Sequence, residues 1–288
     1  MVDFADAARV LESQSNRSLR FQPHFEPLAA REPGRVSAVD GSHAILVDNG
    51  AAWVVAVRAD AVTWPGRPIE TPPAIHATAP ADAEDAVAVL YEAHGLPRPV
   101  IRSCDQYAEA LRDLAEHEAA LAALRTSPDL LLLDGALEHV AKAAQPMADR
   151  IRQRAAEAGV PVAGVSKRSR LHDEGLPLVT GLMRQDPGGT WAVAVPDYQD
   201  TYVAKLHPRA PHAFRIDGDP APLVPLAKDA VYLGYPYPLA LAHNHVCIAA
   251  TEAHQLRAQL VNEVRVHAGP TAYKLLEDFH ETLDRNVP

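Results

Sequence analysis

Cysteine is nearly absent: 288 residues hold two, Cys104 and Cys247, in no CxxC pair. That excludes a thiolate zinc cage and a disulfide framework, and it fits a reducing compartment. Long apolar runs are missing too, since none approaches the ~20 residues a membrane helix needs. The start, MVDFADAARV, is acidic where a secretory signal would be basic and then apolar. The expectation is a soluble cytoplasmic protein without membrane contact. Four signatures of common enzyme classes are also absent: GxxxxGK for a phosphate-cradling loop, GxSxG for a serine nucleophile, HExxH for a zinc protease and GxGxxG for a dinucleotide site. Positive charge is in deficit, with 27 Lys plus Arg against 37 Asp plus Glu and a net charge of -10. The average field therefore repels nucleic acid, and any polyanion must approach by a local basic route.

What is present suffices for a folded protein. Hydrophobic residues make up 48% and charged residues 22%, which argues against wholesale disorder. The strongest β signal runs from Val36 to Trp64, read as VSAVD, then HAILV, then AAWVVAVRADAVTW, with Asp48-Asn49-Gly50 as a hairpin turn tolerant of positive φ. Trp64 to Ala83 is rich in proline and small residues and suits an extended loop or crossing connection. Helices are expected over Asp82–His94 and over about Asp105–Leu124, where Ser103 and Gln106 have capping-box spacing. DLLLLD at 129–134 is an apolar strand ending in an acid, helical sequence follows to Ala158, and PVAGVS is another strand; that order implies a right-handed parallel unit. Thr190–Val195 and Thr201–Leu206 read as an antiparallel pair, and helices close the sequence at about Thr251–Val266 and Thr271–Leu283. The class is α/β.

Several acids occupy positions where apolar residues belong. Leu111, Leu114, Glu118 and Leu121 follow helical steps, which puts Glu118 on the inward stripe and turns Glu116 about 200° from Leu114, into solvent. Asp134 ends a strand, where ligands of open α/β sheets bind. Asp40 ends VSAVD and is followed by Gly41-Ser42. Each is equally well read alone as an ordinary turn or surface acid. If they converge they cannot all ionise unpaired, and a divalent cation of the magnesium or manganese type resolves the repulsion. His243-Asn244-His245 is too short a triplet to mean a nuclease motif, and His245 reads as a surface imidazole. Arg150, Arg152, Arg154, Lys167, Arg168 and Arg170 oppose only Asp149 and Glu157 in one window, a candidate basic strip or else a solvated helix face and loop.

Four motifs in order, AVDGS at 38–42, LLLLDGAL at 130–137, VAGVSKRS at 162–169 and GYPYPLALAH at 234–243, resemble the NurA family of DNA-repair nucleases over about Val36 to Val266. The resemblance implies one domain with an RNase H-like mixed sheet flanked by helices, with an N-terminal segment and a C-terminal helix appended. It also implies a homodimer, manganese or magnesium dependence, and work beside a HerA-like hexameric ATPase in resecting DNA ends. By position, Asp40 and Asp134 match the metal-binding aspartates, Tyr235 the active-site tyrosine and His243 the histidine closing its motif. Lys167 matches as well, and Glu118 is taken as the family's helical glutamate. Asp40, Glu118, Asp134 and His243 are thus the expected metal ligands, with Tyr235 and Lys167 completing the catalytic set. Ala136 and His43 depart from the family pattern, which touches substrate handling rather than ligation. A catalytically silent DNA-docking subunit of a motor complex and another RNase H-like phosphotransferase stay open as alternatives.

Overall fold

The structure, a computed structural model, describes residues 17–138 and 144–274, with Arg9, Glu12, Ser13 and Leu276 besides. Its frame is a nine-stranded mixed sheet in the order β1-β9-β10-β11-β6-β5-β2-β3-β4. These strands are β1 (Glu26–Pro27), β2 (Val36–Asp48), β3 (Trp53–Trp64), β4 (Ala74–Thr78), β5 (Leu130–Asp134), β6 (Val162–Ser166), β9 (Trp191–Ala194), β10 (Thr201–Lys205) and β11 (Phe214–Asp217), while β7 (His172–Asp173) and β8 (Leu176–Pro177) form a separate small ribbon. The helices are α1 (Ala83–Ala93), α2 (Cys104–Leu124), α3 (Gln145–Ala158), α4 (Leu178–Met183), α5 (Tyr237–Val246), α6 (Ala250–His267) and α7 (Gly269–Lys274). At the centre β2, β5 and β6 run parallel, and the remaining pairings are antiparallel.

Side chains alternate across each strand, and both faces are apolar. Val36 and Ala38 of β2, Leu130 and Leu132 of β5 and Ala163 and Val165 of β6 pack on one side with Leu239, Ala240 and Ala242 of α5. The opposite side receives Val39 and Leu131, which meet Ala120, Ala123 and Leu124 of α2 and Ile151 and Ala155 of α3. Complete burial of one such leucine is worth roughly 1.5–3 kcal/mol, so this double-sided packing fixes the register of the three central strands. A one-residue slip would turn every apolar side chain to the wrong face.

The β2–β3 hairpin forms as expected, but VSAVD and HAILV are one continuous strand. Gly41 has an extended backbone and does not turn the chain. The hairpin closes without left-handed residues: the Asn49 Oδ1 accepts from the N–H groups of Ala51 and Ala52, each at 2.9 Å. The proline-rich stretch supplies β4 on the edge beside β3, the sheet position that best tolerates such sequence. Ser103 caps α2 by accepting from the Gln106 N–H, and the Gln106 side chain reaches back to the Arg102 N–H at 2.8 Å. The expected helix after Gly135 is seen as α3, residues 139–143 lying outside the described residues. Of the expected Thr271–Leu283 helix, α7 covers the beginning; residue 275 and those beyond 276 lie outside the described residues.

Candidate metal centre

Alternation carries the apolar rows of β2, β5 and β6 straight into the site. Continuing Val36 and Ala38 gives Asp40, continuing Leu130 and Leu132 gives Asp134, and continuing Ala163 and Val165 gives Lys167 just past the end of β6. Because these strands are parallel neighbours, with Val39 opposite Leu133 and Asp134 opposite Val165, the three polar groups emerge together on the α5 side. From α5, the His243 Nδ1 stands 2.8 Å from the Asp40 Oδ2. One candidate ligand atom from each of Asp40, Asp134 and His243 lies within 4.8 Å of the other two.

The protein neutralises this group only in part. Asp40 accepts the Gly41 N–H at 2.7 Å, and Asp134 accepts from the Lys167 Nζ at 2.5 Å. Burial first, and then the charge of Asp40, nonetheless hold the Asp134 carboxyl above its ordinary range, with Lys167 offsetting only part. Tyr235, 9% exposed, lies under the Lys167 ammonium, whose nitrogen is 5.1 Å from the ring centre. Burial and the neighbouring Asp134 and Asp40 push its hydroxyl well up, and that hydroxyl is buried without a well-formed hydrogen bond. A buried hydroxyl leaning on Asp134 beside two crowded carboxylates fits a centre completed by a cation.

Of the two glutamates on α2, Glu116 and not Glu118 approaches this group. The Glu118 side chain is 55% exposed and pairs with the His94 Nε2 at 2.8 Å, and the inward seat expected for it belongs to His117, 1% exposed. The cause is the path of α2. Its first half packs on β3 and α1 through Tyr107, Ala108 and Leu111, whereas its second half packs on β5 and α3 through Ala120, Ala123 and Leu124. The buried face therefore swings around the helix, and a straight stripe from Leu111 to Leu121 does not follow it. Glu116, expected in solvent, leans over Gly41 so closely that a Cβ there would sit 2.5 Å from its Oε1. Its side chain keeps 28% exposure, into a cleft. Burial above all pushes its carboxyl up to about 8, with Asp113, Asp40 and Asp134 adding and Arg112 opposing.

The cleft, about 870 Å³, opens at the ends of β5 and β6 between α2, α3 and the loop after β6. The expected basic strip does not survive folding intact. Arg150 bonds to the His94 carbonyl, Arg152 pairs with Glu138 and Asp149, and Arg154 pairs with Glu157 on α3. Lys167 is engaged by Asp134, while the exposed Arg168 and Arg170 line the cleft with no ion pair among the described residues. Arg112 and Arg215, not singled out in the sequence, line it as well. His245 is also corrected: only 8% exposed, it pairs with the Asp60 Oδ2 at 3.0 Å.

No protein-family model and no curated protein matches the chain. Solved structures do. A crystal structure of NurA with manganese aligns at TM-score 0.53 and 11% identity over 91% of this chain and 97% of that one. Another crystal structure of NurA aligns at TM-score 0.50 and 12% identity over 91% and 95%. Endonuclease V from Streptomyces avermitilis aligns at TM-score 0.34 and 14% identity over 92% and 95%. At these identities the likeness to NurA speaks for the fold, an RNase H-like mixed sheet flanked by helices.

Proposed function

We propose that this chain is a divalent-metal-dependent deoxyribonuclease. The observation that carries the reading is the meeting of Asp40, Asp134 and His243 at the ends of parallel strands, with Glu116 adding negative charge across Gly41 and too few protein donors to balance the acids. Carboxylate oxygens with one imidazole suit manganese or magnesium, manganese accepting the nitrogen more readily. Asp40, Asp134 and His243 would hold the ion, and Glu116 takes the place that the sequence resemblance gave to Glu118. The chemistry such an ion supplies is activation of water and neutralisation of charge on the phosphate and the departing oxygen.

The chain's own residues do the rest. Lys167 places a positive charge next to Asp134, where a scissile phosphate would lie, and Tyr235 offers it a hydroxyl held only loosely by Asp134. Arg168 and Arg170 supply the local basic route through which a polyanion reaches an otherwise acidic protein. The finer parts of the proposal follow the NurA resemblance: exonuclease or endonuclease action, 5′ to 3′, in end resection at double-strand breaks, as a homodimer beside a HerA-like hexameric ATPase. Digestion of end-labelled single- and double-stranded DNA with manganese, with and without a cognate ATPase of that type, tests it. Cleavage that vanishes with Asp134→Asn is expected; an inert wild-type protein under all of these conditions would leave the silent docking subunit as the better reading.

A further inference from the structure

Two acid–histidine pairs stand side by side in this fold, and only one belongs to the centre above. Asp40 and Asp60 are direct partners across the antiparallel β2–β3 ladder. Like charges so placed repel. Each is answered by a histidine from the last turn of α5, His243 reaching the Asp40 Oδ2 at 2.8 Å and His245 reaching the Asp60 Oδ2 at 3.0 Å.

The pairs differ in what remains open. His243 keeps 53% of its side chain exposed over an acid that is 8% exposed. His245 is 8% exposed over an acid that is 33% exposed, and that acid is bonded at both oxygens: the Asp60 Oδ2 also accepts from the Thr71 Oγ1 at 2.7 Å, and its Oδ1 accepts from the Ala61 N–H at 2.7 Å. Asp60 thus ties together β3, α5 and the loop that follows β3. The same turn is also held through Asn244, whose Nδ2 donates to the Tyr232 Oη at 2.7 Å, and the chain leaving it through the Ile248 N–H, which donates to the Ser42 Oγ at 3.2 Å. The Asp60 hold is the one that ties the turn to the residue directly across the ladder from Asp40. α5 stops at Val246, Cys247 leaves the helical region, and a single bond from the Cys247 N–H to the His243 carbonyl closes it. His243 and His245 are two residues apart on one rigid turn, so any rotation of that turn moves both imidazoles.

We propose that His245 and Asp60, steadied by Thr71, are positioning residues for His243, holding the last turn of α5 so that the His243 imidazole stands over Asp40 and Asp134 before a cation arrives. The inference rests on the metal reading above and adds to it a pair of residues that never touch the ion. Groups that orient a ligand typically govern metal affinity by about 10- to 100-fold, and the single shared turn places this pair at the lower end.

The test is manganese binding to the full chain by titration calorimetry, with pulsed electron paramagnetic resonance of the bound ion. His245→Phe keeps a ring and removes its hydrogen bond. It should weaken manganese binding about tenfold and diminish the imidazole-nitrogen coupling seen by the bound ion. In a His243→Ala background the same change should cost nothing further, because its effect passes through His243. Unchanged affinity in His245→Phe, or losses that add in the double variant, would overturn the proposal while leaving the metal site standing. If wild-type protein binds no manganese, the metal reading falls and this inference with it. Should His245→Phe fail to fold, Asp60→Asn and Thr71→Val carry the same cycle with the same expected and overturning results.

Discussion

Two acids at the ends of sheet strands, Asp217 buried and Asp134 half-buried, lead opposite lives in this molecule. Asp217, 2% exposed at the end of β11, accepts from the Leu137 N–H at 2.7 Å, the Glu138 N–H at 2.9 Å, the Thr201 Oγ1 at 3.1 Å and the Arg215 Nε at 2.8 Å. Its charge is fully answered, and it fastens the segment after β5 to the neighbouring strands. Asp134, at the head of that same segment, has the Lys167 ammonium and faces Asp40 and Glu116. The difference separates an acid that serves stability from one that the fold leaves wanting positive charge, and it is the partners of each that make it.

The sharpest way to break that contrast is to neutralise each acid in turn. Asp134→Asn should cut DNA cleavage by at least ~100-fold, as expected for a group acting in the transition state, and should leave the thermal melt equal to wild type or higher because repulsion is relieved. Asp217→Asn should do the reverse, a loss of roughly 3–5 kcal/mol, since Arg215 is left buried beside a neutral partner. Melts and single-turnover assays on both proteins suffice. If Asp217→Asn melts like wild type, the distinction collapses.

A second comparison pits two glutamates on one helix. Glu116→Gln should lower cleavage by about 10- to 100-fold, in the range found for perturbing a metal site, whereas Glu118→Gln should leave it near wild type. Equal losses would restore the straight inward stripe expected from the sequence. The same residue predicts a pH effect in metal-free protein. Its folded carboxyl titrates at about 8 against an ordinary 4.5, so its contribution to stability is complete below the lower value and disappears as pH rises through the higher one. Between these limits metal-free wild type should lose stability relative to Glu116→Gln, by a few kcal/mol at most, and chemical denaturation at stepped pH reads the difference. The smallest effect concerns the cleft: Arg168→Glu with Arg170→Glu should flatten the slope of log affinity against log salt by about 2, close to one counterion for each cation lost. An unchanged slope would place both arginines on an ordinary solvated surface.

The centre of the fold was legible because its signals are local. Alternation in the β2–β3 hairpin, the apolar run of β5 and the Ser103 cap each reflect neighbouring residues, and they led to the strands that carry Asp40 and Asp134. The positions of Glu116 and His245 were not legible, because both depend on how a helix crosses its neighbours. A helical wheel drawn for α2 alone cannot know that its burial passes from β3 to β5 midway. β11 escaped because a four-residue strand carrying Arg215 and Asp217 looks polar until their mutual pairing is seen. α5 was masked by Pro236 and Pro238, which sit at its start, where prolines are tolerated.

Gly41 has one more consequence. Lacking a side chain, it is a window through the sheet, and Glu116 occupies that window from the face opposite His243. Burial above all holds the Glu116 carboxyl up, and through the window Asp40 and Asp134 add repulsion from the far side. The two faces of the sheet therefore sense one another's charge through a gap the size of a methyl group, and the methyl of Gly41→Ala, 2.5 Å from the Glu116 Oε1, would fill that gap only by displacing Glu116.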